Sequence, residues 1–134
     1  MNFEEVNILG NIINDTYGKA STSSGGYPHS GDATVAIKKS LENNVLKIMA
    51  ISVINTIDEY HMRTEVDKCE DQLDQHINKE LSRIKKEFKG EAGRALKAKQ
   101  IKDSEQTSVE IINHSAYNAK RSAYVRRFVH FEIE

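Results

Sequence analysis

The chain has no tryptophan, one proline and one cysteine in 134 residues. A lone cysteine, Cys69, cannot close an internal disulfide, so no disulfide framework holds this fold and the composition suits a reducing compartment. Long hydrophobic runs are missing too. The longest, VLKIMAISVI from Val45, is ten residues with a lysine inside it, well short of the roughly 20 that a membrane-spanning helix needs. The opening MNFEEVNILG is acidic and has no basic segment followed by an apolar one, which predicts no secretory leader and synthesis in the cytoplasm.

Catalytic signatures are equally scarce. No G-x-S-x-G or comparable nucleophile motif occurs. The stretch STSSGGYPHSGD is rich in serine and glycine, but no lysine follows its glycines and no strand leads into it, so it is not a phosphate-binding loop. His61, Cys69 and His76 share roughly one side of a helix at spacings of eight and seven residues. Two helical turns separate neighbours by about 10–12 Å, whereas ligands of one zinc ion lie about 2.0–2.3 Å from it. These three cannot share an ion, and Cys69 falls on an apolar stripe where it reads as core. The carboxylates Asp58, Glu59, Glu65, Asp67, Glu70, Asp71 and Asp74 fall mostly on the solvent side of the same helix, with no nuclease or glycosidase spacing. His29, His114 and His130 have no evident partners. The expectation is a protein with no catalytic residues, no metal and no cofactor.

What is present describes a single folded domain. The hydrophobic fraction is 38% and the charged fraction 29%, as in a globular protein of this length. The formal net charge of -1 conceals an asymmetry. Residues 1–75 carry 6 basic and 12 acidic side chains, and residues 76–134 carry 13 basic and 8 acidic. A fold that keeps these halves apart has an acidic and a basic side.

Periodicity predicts the elements. Asn2 followed by Glu5 has the spacing of a capping box, and Phe3, Val6, Leu9, Ile13 and Tyr17 recur at helical spacing up to Gly18, giving a helix over 3–17. A flexible Ser/Gly loop is expected over 20–33. Val35, Ile37 and Leu41 alternate with Thr34, Lys38, Ser40 and Glu42, with Lys39 as the exception. Asn43-Asn44 suits a two-residue hairpin turn, and the strand after it is apolar on both faces, as in a covered central strand. The expected hairpin is 34–42 with 45–56. Val66, Cys69, Leu73, Ile77, Leu81, Ile84 and Phe88 then step by three and four, a helix within 58–89 that ends, kinks or restarts at Gly90 and Gly93. Val109 and Ile111, then Val125, Val129, Phe131 and Ile133, form a second hairpin turning at YNAKRS. Arg127 falls on the apolar face of that last strand, so it should meet a carboxylate or a partner. The predicted fold is a single two-layer α+β domain over 1–134: a mostly antiparallel four-stranded sheet of two hairpins, covered on one face by a short N-terminal helix and one long helix.

One segment stands out by charge. From Ser82 to Lys102 the chain carries eight lysines and arginines against two glutamates. Lys79, Arg83, Lys86, Arg94 and Lys97 fall in one line opposite the stripe of Leu81, Ile84 and Phe88, with Glu80, Glu87 and Glu91 placed to pair with Arg83 and Arg94. The last hairpin adds Lys120, Arg121, Arg126 and Arg127. Together these nine cations are the candidate interface. They suit either a solvated face or a protein partner, including a second copy of the chain. The rival reading is a nucleic-acid-binding accessory protein using the same basic helix and hairpin, for which a net basic domain and exposed aromatics would be expected.

The order of elements, from the helix at Phe3 to the closing strand VRRFVHFEIE, resembles the tail-terminator or tail-completion proteins of tailed bacteriophages. The resemblance spans most of the chain at the level of layout and size. No residue motif accompanies it, so no site residue is carried over. It implies a small α+β structural protein that assembles with itself into a ring, contacts other assembly proteins, lies in the virion after assembly and needs no cofactor. A ring requires different surfaces of adjacent subunits to meet, which oppositely charged faces can supply.

Overall fold

The computed structural model of the chain describes residues 1–16, 20–22, 34–56, 59–101, 106–113 and 121–134. The first helix, α1, runs Phe3–Thr16. Its start is the expected capping box: Asn2 Oδ1 accepts from the Glu5 amide at 2.8 Å, and Glu5 Oε1 accepts from the Asn2 amide at 3.2 Å. Each bond satisfies a backbone donor near the helix N-terminus that has no partner within the helix.

The start of the anticipated Ser/Gly loop is a short strand, β1 (Ala20–Thr22), which pairs antiparallel with Thr34–Ala36. The rest of that loop, 23–33, lies outside the described residues. The first hairpin has the expected bounds, β2 (Thr34–Glu42) and β3 (Val45–Thr56). Its turn residues Asn43 and Asn44 have φ of 50° and 64°, the left-handed pair that a tight hairpin matching strand twist demands and that asparagine tolerates.

The long helix, α2, spans Glu59–Ala92; it runs through Gly90 and ends within KGEAG, the stretch where the sequence predicts an end, kink or restart. A mid-helix glycine costs about 1 kcal/mol relative to alanine, which is small beside the roughly 1.5–3 kcal/mol from each large apolar side chain that α2 buries. The stop falls at Gly93, where φ is +76° and the amide donates to the Lys89 carbonyl at 3.0 Å. Here the positive φ needs glycine, and the bond closes a free carbonyl at the helix end.

The chain then forms β4 (Ala98–Gln100), β5 (Gln106–Asn113) and β6 (Arg121–Ile133). The second hairpin is therefore present, and its expected turn at 117–122 lies mostly outside the described residues. β4 and β5 both pair with the same edge of β6. Gln100 opposes Phe131 and Gln106 opposes Phe128, so five residues on one side answer two on the other and the register steps between them. The sheet is antiparallel throughout, ordered β1-β2-β3-β6-β4, with β5 beside β6. Four long strands match the sequence expectation. The two three-residue strands were not legible in it.

Both helices pack on one face. That face carries Val35 and Ile37, then Leu46, Ile48, Ala50 and Ile54, then Val125, Val129, Phe131 and Ile133. They meet Leu9 and Ile12 of α1 and Cys69, Leu73, Ile77, Ile84 and Phe88 of α2. Cys69 is core, as its place on the stripe implied. β3 is central, and the described helices lie on one of its faces. Its even-numbered residues from Leu46 to Ile54 are buried, while Val45, Lys47, Met49, Ile51 and Val53 point to the other side and keep solvent exposure.

Candidate interaction surfaces

The two exceptions to strand alternation fix how α2 sits on the sheet. Lys39 lies on the buried face of β2 with only 2% of its side chain exposed, and its Nζ donates to Glu80 Oε1 of α2 at 2.6 Å. Arg127, on the same face two strands away, donates from Nε to Asp74 Oδ1 of α2 at 2.6 Å. A buried cation needs a paired and hydrogen-bonded counter-charge, and each is met by a carboxylate of the covering helix. The pairs lie six residues apart on α2, so together they set its position along the sheet and its rotation about its own axis.

Glu80 is the centre of a larger cluster. Arg83 donates to it from Nη2 at 2.6 Å and Nε at 3.1 Å, and reaches Glu87 from Nη1 at 2.6 Å. Burial pushes the Glu80 carboxyl up, but the hydrogen bonds from Arg83 and Lys39 outweigh it and hold it below the usual carboxylate range. For Lys39 burial dominates and lowers the ammonium pKa, against the raising effect of Glu80. The Arg83 guanidinium is raised, chiefly by its bond to Glu80.

The nine candidate cations do not form one surface. Arg83 is committed to Glu80 and Glu87. Arg94 bonds Glu5 of α1, lies over the Phe88 ring at 5.4 Å and donates to the Ala95 carbonyl at 3.1 Å. Its partner is thus Glu5, where spacing had offered Glu91, and the Glu5 carboxyl is lowered first of all by this bond. Arg127 is turned inward to Asp74. Lys79, Lys86 and Lys97 are exposed. Arg126 lies on the opposite side of the sheet from α2, half-buried. Arg121 opens β6, and Lys120 lies outside the described residues.

The side of the sheet away from the helices is the surface that sequence reasoning missed. On β6, Tyr124, Arg126, Phe128 and His130 alternate along it, opposite Val53, Ile51, Met49 and Lys47 of β3. Tyr124 and Val53 are each 37% exposed. Lys47 Nζ sits over the Phe128 ring at 4.7 Å, and Lys38 lies beyond it, opposite Met49. Burial and then Lys47 lower the His130 pKa, so this imidazole is neutral at neutral pH. The signal available in the sequence was β3 itself, apolar on both faces, of which the described helices cover one.

Among the described residues no three His, Cys, Asp or Glu side chains approach one another closely enough to hold an ion. No described helix is long and apolar enough to cross a membrane. A groove of about 550 Å³ runs between α1 and β2, lined by Val6, Asn7, Gly10, Asn11, Ile13, Lys39, Ser40 and Leu41. Among its described lining residues Lys39 is the ionisable one, and it spends its ammonium on Glu80. Comparison with protein-family models, curated proteins and solved structures returns no match for this chain.

Proposed function

We propose that the protein is a non-enzymatic assembly protein that associates with copies of itself into a ring, of the tail-terminator or tail-completion kind found in the tail and neck of tailed bacteriophages. The observation that carries this reading is the separation of charge along the solvent side of α2. In its first half Asp67 and Asp71 are exposed and Glu70 half-exposed, against the exposed cations Arg63 and Lys68, the latter 3.9 Å from Glu65. In the second half and just beyond it Lys79, Lys86, Lys89, Lys97 and Lys99 are exposed, against the exposed acids Glu87, which is paired with Arg83, and Glu91. The helix is 34 residues long, about 51 Å at 1.5 Å per residue, so the two ends are far enough apart to meet different neighbours. An acidic end against the next subunit's basic end is a heterologous contact, the type that closes rings. Charge complementarity of this kind sets register and suppresses wrong pairings more than it adds affinity.

The contact is now narrower than the nine cations. Arg83, Arg94 and Arg127 are bonded to carboxylates of their own subunit, and Lys79, Lys86 and Lys97 are left to reach a neighbour. The triple variant Lys79→Glu, Lys86→Glu, Lys97→Glu should keep its far-UV circular dichroism and lose its higher-mass species on a sizing column. A folded triple variant with unchanged mass removes these lysines from the interface.

A further inference from the structure

Among the described residues, both outer edges of the sheet have backbone without a neighbouring strand. β5 pairs with β6 along one side, and no described strand lies along its other side. At the far end of the sheet, β1 covers β2 only at Thr34–Ala36, and no described strand pairs with Lys38–Leu41 on that side. The two-residue turn makes Glu42 and Val45 a hydrogen-bonded pair. Alternation from that pair turns the backbone groups of Lys39 and Leu41 away from β3; carried across β3 and β6, it turns those of Thr107 and Val109 outward from β5. Edges of this kind recruit further strands unless lysine, proline or a bulge blunts them. β5, with the sequence QTSVEIIN, has neither lysine nor proline.

The groove of about 550 Å³ between α1 and β2 runs beside the open stretch of β2, where Val6, Gly10 and Ile13 face Lys39 and Leu41. Ser40 lines it as well, although it alternates to the other face, so the groove reaches the edge of the strand. Gly10 leaves space, since a carbon added there meets nothing within 4 Å. Val109 has the complementary character. It opposes the buried Val125 and so belongs to the helix side of the sheet, yet it is 41% exposed.

We propose that the β5 edge of one copy adds to the β2 edge of the next, with Val109 entering the groove under α1. This rests on the reading that the chain self-assembles, and it supplies that assembly with a backbone contact. Three features fit a second copy. The first is direction. β2 and β6 run one way and β3 and β5 the other, so β5 meets β2 of an identically oriented neighbour antiparallel and the alternation continues from subunit to subunit. The second is the face, since Val109 and the groove both lie on the helix side. The third is charge. Pairing Val109 with Lys39, whose outward backbone groups match, sets the Glu110 position opposite Lys38, and unlike charges across strands are favourable. The paired stretch is Thr107–Glu110 on Lys38–Leu41, which stops short of β1. Because the two edges differ, the contact is heterologous and repeats head to tail. A two-fold pairing of β5 with β5, or of β2 with β2, leaves Val109 outside the groove.

The test is the double variant Lys38→Cys, Glu110→Cys in the full chain, oxidised with glutathione disulfide and run on a non-reducing gel. The two positions form a non-hydrogen-bonded pair with Cα atoms about 4.5 Å apart, within the span of a disulfide, and the native Cys69 is buried. The double variant should give a ladder of covalent multimers that collapses on reduction, while each single variant stays at the mass of one chain. Val109→Lys, at an exposed position, should keep its circular dichroism and lose the higher-mass species on a sizing column. Any of three results overturns the proposal: a folded double variant with no ladder, a covalent dimer from a single variant with no ladder from the double, or a folded Val109→Lys of unchanged native mass. The second of these would assign the edges to two-fold pairing. An oligomeric wild type whose double variant gives no ladder removes the edge contact alone. A ladder that persists beside an unchanged mass of the triple lysine variant removes the α2 contact alone. A wild type at 15.2 kDa with no ladder removes both.

Discussion

Replacing Glu80 by glutamine should destabilise the fold far more than replacing its partner Lys39 by methionine. Glu80 accepts from Lys39 and Arg83, and the Lys39 side chain is 2% exposed against 17% for Glu80. Glu80→Gln keeps the shape but strips the counter-charge from a buried ammonium. Removing one member of a buried pair costs about 3–5 kcal/mol. The residual exposure of Glu80 and the ability of Lys39 to release its proton bring the expected loss to about 2–3 kcal/mol. Lys39→Met puts an unbranched apolar chain in the same space and leaves Glu80 with Arg83, so its cost should stay within about 1 kcal/mol of zero. The double variant should be more stable than Glu80→Gln alone, because no buried ammonium remains. Urea denaturation followed by circular dichroism reads this directly, the chain having no tryptophan. With a slope of about 1.5 kcal/mol per molar urea, Glu80→Gln should lower the midpoint by between about 1 and 2 M. If Lys39→Met cost as much as Glu80→Gln, the pair would be held by net attraction rather than by avoidance of a stranded charge, and the reasoning would be wrong.

Three further outcomes follow from local geometry. Gly93→Ala should destabilise by about 1–2 kcal/mol, since φ is +76° there and an L residue resists that region, whereas Gly90→Ala, with open space around the added carbon, should stabilise by up to about 1 kcal/mol; thermal melts of the two separate them. Asn2→Ala removes the side-chain acceptor of the capping box and should cost about 1 kcal/mol, seen as a lower melting temperature. Burial lowers His76 and His130 from the ordinary 6.5, so well above that pH both are neutral folded or unfolded and contribute little slope. Below it the unfolded chain takes up protons first and stability falls; a urea series across pH should show this decline, and the double variant His76→Gln, His130→Gln should lessen it. Glu5 and Glu80, both lowered from 4.5, add a second decline as pH drops through 4.5 toward their folded values.

Much of the architecture was legible in the sequence because it depends on local chemistry. The Asn2–Glu5 spacing, the Asn43-Asn44 pair and the three-and-four stepping from Val66 to Phe88 each specify one local geometry, and the structure has all three. The end of α2 was harder. Gly90 and Gly93 look alike in sequence, and only at Gly93 does the backbone turn left-handed. β1 and β4 were invisible because three-residue strands carry no period; they exist because a neighbouring edge was free to pair. The candidate interface was legible as charge but not as partnership. Lys39 and Arg127 were conspicuous as cations on apolar faces, yet that Glu80 and Asp74 answer them depends on where α2 crosses the sheet. The commitment of Arg94 to Glu5 joins residues 89 apart, which helical spacing cannot foresee. The row of Tyr124 and Phe128 was hidden because the alternation of β6 places aromatics on both faces, Phe131 in the core and Phe128 outside.

The central claim is that the chain works by associating with copies of itself. Light scattering on a sizing column at moderate salt, over a range of loading concentrations, measures this in one experiment. The account predicts a discrete mass several times the 15.2 kDa of the chain, shifting downward at high salt as the exposed lysines of α2 are screened. A single species at 15.2 kDa, unchanged by concentration and salt, would contradict it.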